Sequence, residues 1–352
     1  MDIVSFKQTF DPLLARHLAS QHDTYTKITS NSTVLSTLSH IQKVSAGGKR
    51  LRPYIVWSLY ASQKPDAKLE DIQDLLLALE LFHVFCLIHD DVMDNASTRH
   101  GTLTIQAFTT ELLTEHKEHG DLSRAGKSQA ILAGDILFNQ VYELLARTTW
   151  ASPKMRDEVR SVFTTLVDEV CIGQMLDIDL TTKKETDTRA IVEKNKLKTA
   201  YYSFARPLHI GALISGRDDI IDFVISFGEQ VGMLFQIQDD LLDIIGKPEE
   251  TKKELLSDLR ENQHTVLTEY IRKKADPVFK EKLEKFCGTD LKDTDYAEAK
   301  SVFVDSGAVA YAQALTQEYI NESQRLIKDA HLDQTDEKLF NSIISLLAHR
   351  TA

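Results

Sequence analysis

The chain has 352 residues, 42% of them hydrophobic and 27% charged, an ordinary globular balance. Its 53 acidic against 41 basic side chains give a formal charge of −12, which argues against a nucleic-acid partner but leaves room for polyanions held through metal ions. Three widely spaced cysteines (Cys86, Cys171 and Cys287) form no CxxC pair, and the first ten residues lack the pattern of a secretory signal, so a cytoplasmic protein without structural zinc is expected. No stretch is read as a membrane span; the best candidate, Leu75 to Ile88, is broken by Glu80 and His83.

Only seven prolines occur, and they leave long intervals in which apolar residues recur at helical spacing. Leu75, Leu79, Phe82 and Leu87 form one such series, and Val224, Phe227, Val231 and Phe235 another. Alternating β-branched runs with hairpin turns are absent, so a sheet has little support. The reading is an all-α, single-domain bundle, residues 1–352, of roughly ten to thirteen helices. Polar stretches at 116–127, 181–188 and 246–257 read as connections.

Charged residues then appear in a suggestive order. Gly47-Gly48-Lys49-Arg50-Leu51-Arg52-Pro53 sets three cations in four positions before a proline suited to a helix start. Next comes His83, and then His89-Asp90-Asp91-Val92-Met93-Asp94 at the end of a strongly apolar run. Asp90 and Asp94 are i,i+4 and share a face, where like charges repel unless a cation intervenes. Arg99-His100-Gly101 follows, expected one or two turns beyond Asp94, and Lys198-Thr199 lies on a later helix.

A second cluster, Gln236-Ile237-Gln238-Asp239-Asp240-Leu241-Leu242-Asp243, has the same pattern within another apolar helix. A lone DDxxD is more often a solvated acidic face, and a lone histidine such as His83 is more often a satisfied core residue. Two similar clusters on buried-looking helices reverse that balance. Hard divalent cations are the natural counter-charge, and their remaining coordination sites suit diphosphate oxygens.

The ordered series across residues 43 to 267 resembles the polyprenyl diphosphate synthase family of trans-prenyl elongases. It comprises Gly48 to Pro53, His83, Asp90 to Asp94, Arg99-x-Gly101, Ala133-Gly134-Asp135, Gly173-Gln174-Met175-Leu176-Asp177, Lys198-Thr199 and Phe235 to Asp243. The resemblance implies an isoprenoid-synthase-like bundle around a central cavity, working as a homodimer on isopentenyl diphosphate and an allylic diphosphate. It implies three Mg²⁺ ions, with Asp90, Asp94 and Asp239 as direct ligands and Asp91, Asp240 and Asp243 acting largely through water. Arg99 and Lys198 would hold the allylic diphosphate, and Lys49, Arg52 and His83 the isopentenyl diphosphate. Thr199 and Gln236 would turn oxygen dipoles toward the allylic carbocation.

Two positions depart from the family pattern. His100 stands where a second arginine is usual, and Gln263 stands where a lysine is usual, with Lys252 or Lys253 available as substitutes. The family also places its tunnel floor four and five residues before the first aspartate, at Cys86 and Phe85. Helix geometry sets Phe85 about 140° away from the Asp90 face, so only the resemblance puts it in the tunnel. A bulky Phe85 points to a C20 or C15 product, with geranylgeranyl favoured over farnesyl diphosphate. The competing readings are a weakly active or non-catalytic subunit of a heteromeric synthase and, third, a terpene cyclase, which would carry a different second metal motif.

Overall fold

The computed structural model describes residues 1–184, 186–246, 255–289, 291–292 and 294–348. Lys252 and Lys253, the possible substitutes for a lysine at Gln263, lie outside the described residues. The backbone divides into two compact units, residues 1–61 with 65–150, and residues 62–64 with 151–352.

The first unit begins with α1 (Ile3–Ile28), capped by the Asp2 carboxylate, which accepts from the Ser5 amide at 2.8 Å. Phe6, Phe10, Leu14 and Leu18 recur every four residues and form its buried stripe. The Asn31 side chain caps α2 (Ser32–Ser45), and α3 (Leu51–Gln63) starts directly after the glycine-rich basic loop. In α4 (Gln73–Met93) every residue from Leu75 to Phe82 is buried, the pattern of a helix enclosed on all sides. It packs chiefly against α6 (Leu122–Arg147), which α5 (Ile105–Glu115) also contacts. Asp121 caps α6 by accepting from Arg124 N, so the connection expected at 116–127 ends six residues earlier than its composition suggests.

Between α4 and α5 the chain departs from the sequence reading. The helix stops at Met93 with Asp94 as its C-cap, and Asn95 takes a left-handed conformation with φ of 54°. A two-stranded antiparallel ribbon follows, β1 (Thr98–Arg99) paired with β2 (Thr102–Leu103). His100 and Gly101 form its turn, both with positive φ (53° and 75°), as a two-residue hairpin requires. Arg99 therefore sits on a hairpin rather than one or two helical turns past Asp94.

The second unit opens with α7 (Pro153–Thr181), capped by Ser152 with proline at the first position. A continuous rod then runs through α8 (Thr188–Asn195), a π-helical segment (Lys196–Ala205) and α9 (Arg206–Ser215), ending at Gly216 with φ of 70°. The rod packs between α7 and α10 (Ile221–Ile245). Beyond the second acidic cluster come α11 (Ser257–Arg260), α12 (Val266–Lys274), α13 (Pro277–Glu284), α14 (Asp295–Asp305), α15 (Ala308–Asp329) and α16 (Gln334–Ala348). Ile237, Leu241 and Ile244 of α10 join Leu259, Leu267, Ile271, Phe303 and Ala312 in a common core.

The stretch Asp218–Ile245 is long and apolar enough by composition to cross a membrane, with a mean hydropathy of 1.4, and so exceeds the 75–88 stretch singled out from sequence. Half of that window is buried inside the fold and its end carries three aspartates, which fits the core helix of a globular unit. The all-α reading holds, the ribbon being the one sheet among the described residues.

Candidate functional site

In the first unit, the end of α4 presents Asp90 and Asp91 to the ribbon. Arg99 donates through Nε to Asp91 Oδ1 at 2.6 Å and approaches Asp90 Oδ2 with Nη2 at 3.4 Å. Asp91 is almost fully buried, and burial pushes its carboxyl up to about 6 against the opposing pull of Arg99. Its Oδ2 is enclosed and accepts no hydrogen bond among the described residues. Gln106 of α5 fixes the loop from behind, donating to the carbonyls of Asp91 (2.7 Å) and Ala96 (2.8 Å).

The basic run divides its labour. Arg50 is buried, has φ of 57°, and donates to Asp11 (2.7 Å), Glu80 (2.7 Å), Gly47 O and Ser45 O (both 2.6 Å). That guanidinium is consumed in clamping the loop, so the loop's remaining cations are Lys49 and Arg52. His83, half-buried on α4, is held well below the usual histidine range by burial first, then by the charges of Arg52, Arg99, Arg50 and His100. A Cβ on Gly47 would lie 2.7 Å from His100 Cδ2, so the hairpin turn rests directly on the basic loop. The fold thus brings His83, Arg52, Arg99, His100 and the first aspartates into one neighbourhood.

Phe85 turns elsewhere. Its ring stacks on Phe138 of α6 (4.9 Å between centroids) and lies 4.5 Å from the ring of His89, within the α4–α6 seam. His89 also packs against Gly134, where a Cβ would come within 2.4 Å of Nε2; this close approach gives Ala133-Gly134-Asp135 its structural role.

In the second unit, a relay joins the π segment to α10. The Thr199 hydroxyl donates to Gln236 Oε1 at 2.6 Å, and Gln236 Nε2 donates to Asp240 Oδ1 at 2.7 Å. Burial pushes the Asp240 carboxyl up to about 7; Lys194 and the Gln236 bond oppose this, while Asp239 and Asp243 reinforce it. The Oδ2 of Asp240 is buried and accepts no hydrogen bond among the described residues. Asp243 accepts from the amide and hydroxyl of Ser257 (3.0 and 2.8 Å) and from the Asp258 amide (3.2 Å), so its carboxylate anchors the start of α11.

Sequence reading left several residues here without a role. Asp177, quoted only as part of the Gly173–Asp177 motif, is buried and takes Lys198 on Oδ2 at 2.6 Å and Lys194 on Oδ1 at 3.0 Å. Burial alone would raise its pKa, but the two lysines hold it below the ordinary value. Gln263 Nε2 reaches toward the same Oδ2 at 3.5 Å. Asp258 is raised well above the usual range by burial and by Asp243, Asp240 and Asp239. The available signals were the i,i+4 spacing of the two lysines and an acid on an otherwise apolar face of α7.

Among the described residues no three His, Cys, Asp or Glu side chains stand close enough to enclose a metal by themselves. The donor sets are nonetheless carboxylates, and each cluster has an enclosed oxygen, on Asp91 and on Asp240, without a donor among the described residues. Such sets fit Mg²⁺, which keeps waters and completes its octahedron with substrate phosphates rather than an all-protein cage.

The sequence profile described as polyprenyl synthetase matches residues 34–303. The chain is 29% identical over 323 residues to geranylfarnesyl diphosphate synthase of Natronomonas pharaonis, covering 88% of each chain. It is 30% identical to heptaprenyl diphosphate synthase component 2 of Geobacillus stearothermophilus, covering 82% of this chain and 80% of the relative. Among solved structures, geranylgeranyl pyrophosphate synthase from Corynebacterium glutamicum, complexed with isoprenyl diphosphate and magnesium, superposes with a TM-score of 0.91 at 27% identity, covering 100% of this chain and 99% of that one.

Proposed function

The chain belongs to the polyprenyl synthetase family and is a trans-prenyltransferase, and on that premise we propose that it condenses isopentenyl diphosphate with an allylic diphosphate, depends on Mg²⁺ and stops at geranylgeranyl diphosphate. The observation that carries the reading is the pairing of carboxylates with cations in both units: half-buried Asp90 and buried Asp91 with Arg99, and buried Asp177 with Lys198. An acidic cluster that served only as a solvated face would not be buried against fixed cations.

Asp90, Asp94 and Asp239 would bind three Mg²⁺ directly, with Asp91, Asp240 and Asp243 behind them; when bound, the ions neutralise the diphosphate as a leaving group. Arg99 and Lys198 bind the allylic diphosphate, and Lys49, Arg52, His83 and His100 bind the isopentenyl diphosphate. A neutral His83 donates a hydrogen bond without adding charge, and the two arginines supply the forked contacts. Thr199 and Gln236 are fixed by their mutual bond and by Asp240, so their oxygen dipoles stay oriented toward an allylic cation without reorganising. The apolar helices around them exclude water from that cation. Phe85, braced by Phe138, limits the growing chain.

The proposed setting is cytoplasmic and homodimeric. Exposed apolar residues on α6 (Leu132, Tyr142) and on α7 (Ile172, Met175) support pairing, which light scattering would read as twice the mass of one chain. The function is tested by incubating the protein with Mg²⁺, isopentenyl diphosphate and farnesyl diphosphate and reading products by mass spectrometry. A single C20 diphosphate is expected. Longer products would remove Phe85 as the limit, and binding without turnover from any allylic primer would favour a non-catalytic subunit.

A further inference from the structure

Lys194 lies in the last turn of α8, four residues before Lys198, and both ammonium groups converge on one carboxylate. Lys198 Nζ stands 2.6 Å from Asp177 Oδ2, and Lys194 Nζ stands 3.0 Å from Oδ1. Lys194 also donates to the His264 carbonyl at 3.1 Å. The side chains of Lys194 and Asp177 are 8% and 5% exposed, whereas that of Lys198 is 30% exposed.

If Lys194 served only to neutralise Asp177, it would be redundant, since Lys198 already does so at the shorter distance. A second buried ammonium is costly unless it serves a purpose. Charge counting supplies one. Asp177 with Lys198 alone is neutral, and the carboxylate would compete directly with any anion for that ammonium. With Lys194 added, the trio itself carries a net charge of +1; the neighbouring Asp240 and Asp258 carboxylates also feel Lys194, and a ligand meets the trio at its most exposed member, Lys198.

We infer that Lys194 is a positioning residue, which takes up the Asp177 carboxylate so that the charge of Lys198 stays available to a diphosphate. The inference rests on the reading of Lys198 as a diphosphate ligand. The geometry of Gln263 offers an independent check. Its Nε2 already reaches toward Asp177 Oδ2 at 3.5 Å, so a lysine at 263 can bring an ammonium to the same carboxylate.

The experiment measures affinity for inorganic diphosphate in the presence of Mg²⁺ by calorimetry on the full chain. Lys194→Met is expected to weaken binding at least tenfold and to raise KM for the allylic diphosphate similarly, with kcat within threefold. Adding Gln263→Lys to that variant is expected to restore affinity to within threefold of the parent. Unchanged affinity in Lys194→Met, or no restoration at a matched melting temperature, overturns the inference. Should Lys194→Met not fold, Gln263→Lys alone decides: added charge on Asp177 tightens diphosphate at least threefold, and unchanged affinity is contrary to the account. If the affinities follow this pattern while the parent makes no prenyl product, the positioning role stands and the elongase reading fails. If the parent elongates and the affinities do not move, the reverse holds.

Discussion

At the scale of single residues, the two acidic clusters each contain one carboxylate buried from water, Asp91 and Asp240. Asp240 is the clearest case, because its folded pKa of about 7 stands well above its ordinary value of 3.8. Such a group binds a proton more tightly in the folded than in the unfolded chain. Its contribution to stability is therefore present below pH 4 and is lost as pH rises toward 7. In metal-free protein, the difference in unfolding free energy between the parent and Asp240→Asn should shift against the parent by up to a few kcal/mol over that window. Denaturant unfolding at a series of pH values measures it, and parallel curves for the two proteins would show that Asp240 does not carry the shift. Single residues also mark the limits of sequence reading. Spacing exposed Asp90, Asp94, Asp239 and Asp243 because helical periodicity lets aligned acids be counted. It gave Arg50 the same weight as Lys49 and Arg52, since a one-dimensional run does not reveal that Asp11 and Glu80 absorb that one guanidinium. Lys194 stayed hidden for the same reason, its partners being 17 and 70 residues away.

At the scale of elements, the π-helical segment Lys196–Ala205 holds both Lys198 and Thr199, to which the proposed function assigns roles. Widened turns of this kind recur at functional sites, where they re-aim side chains out of the regular register. Here the segment is wedged between glycines. A Cβ on Gly173 of α7 would come within 2.4 Å of Lys198 N, and one on Gly232 of α10 within 2.3 Å of Ala200 Cα. Gly173→Ala should therefore push the segment away from α7 and misplace Lys198 and Thr199 together. A displacement approaching 1 Å predicts a loss in kcat/KM on the order of 10²-fold, with folding retained. Steady-state kinetics beside circular dichroism checks it, and full activity in Gly173→Ala would mean that the close approach has no functional role. Amphipathic spacing revealed that Lys198 lies on a helix but not that the helix is widened, because the widening is imposed by backbone contact. The ribbon at 98–103 was likewise invisible, since its strands are two residues long and its turn uses His100 at a positive φ.

At the scale of the whole molecule, the all-α architecture and the family were legible because the motifs recur in order over most of the chain, and the family profile covers residues 34–303. Product length is less legible. Relatives of similar identity carry names from geranylgeranyl to heptaprenyl synthases, so overall similarity does not discriminate among them. The proposed limit, Phe85 packed against Phe138, lies on two different helices that no linear motif joins. The central claim is that the two aspartate clusters jointly carry Mg²⁺-dependent prenyl transfer. The most direct measurement is the turnover of isopentenyl diphosphate with an allylic primer by the parent and by Asp90→Ala combined with Asp239→Ala, at saturating Mg²⁺. The account predicts a loss of about 10³-fold or more in kcat with the melting temperature little changed; turnover within a few-fold of the parent would contradict it.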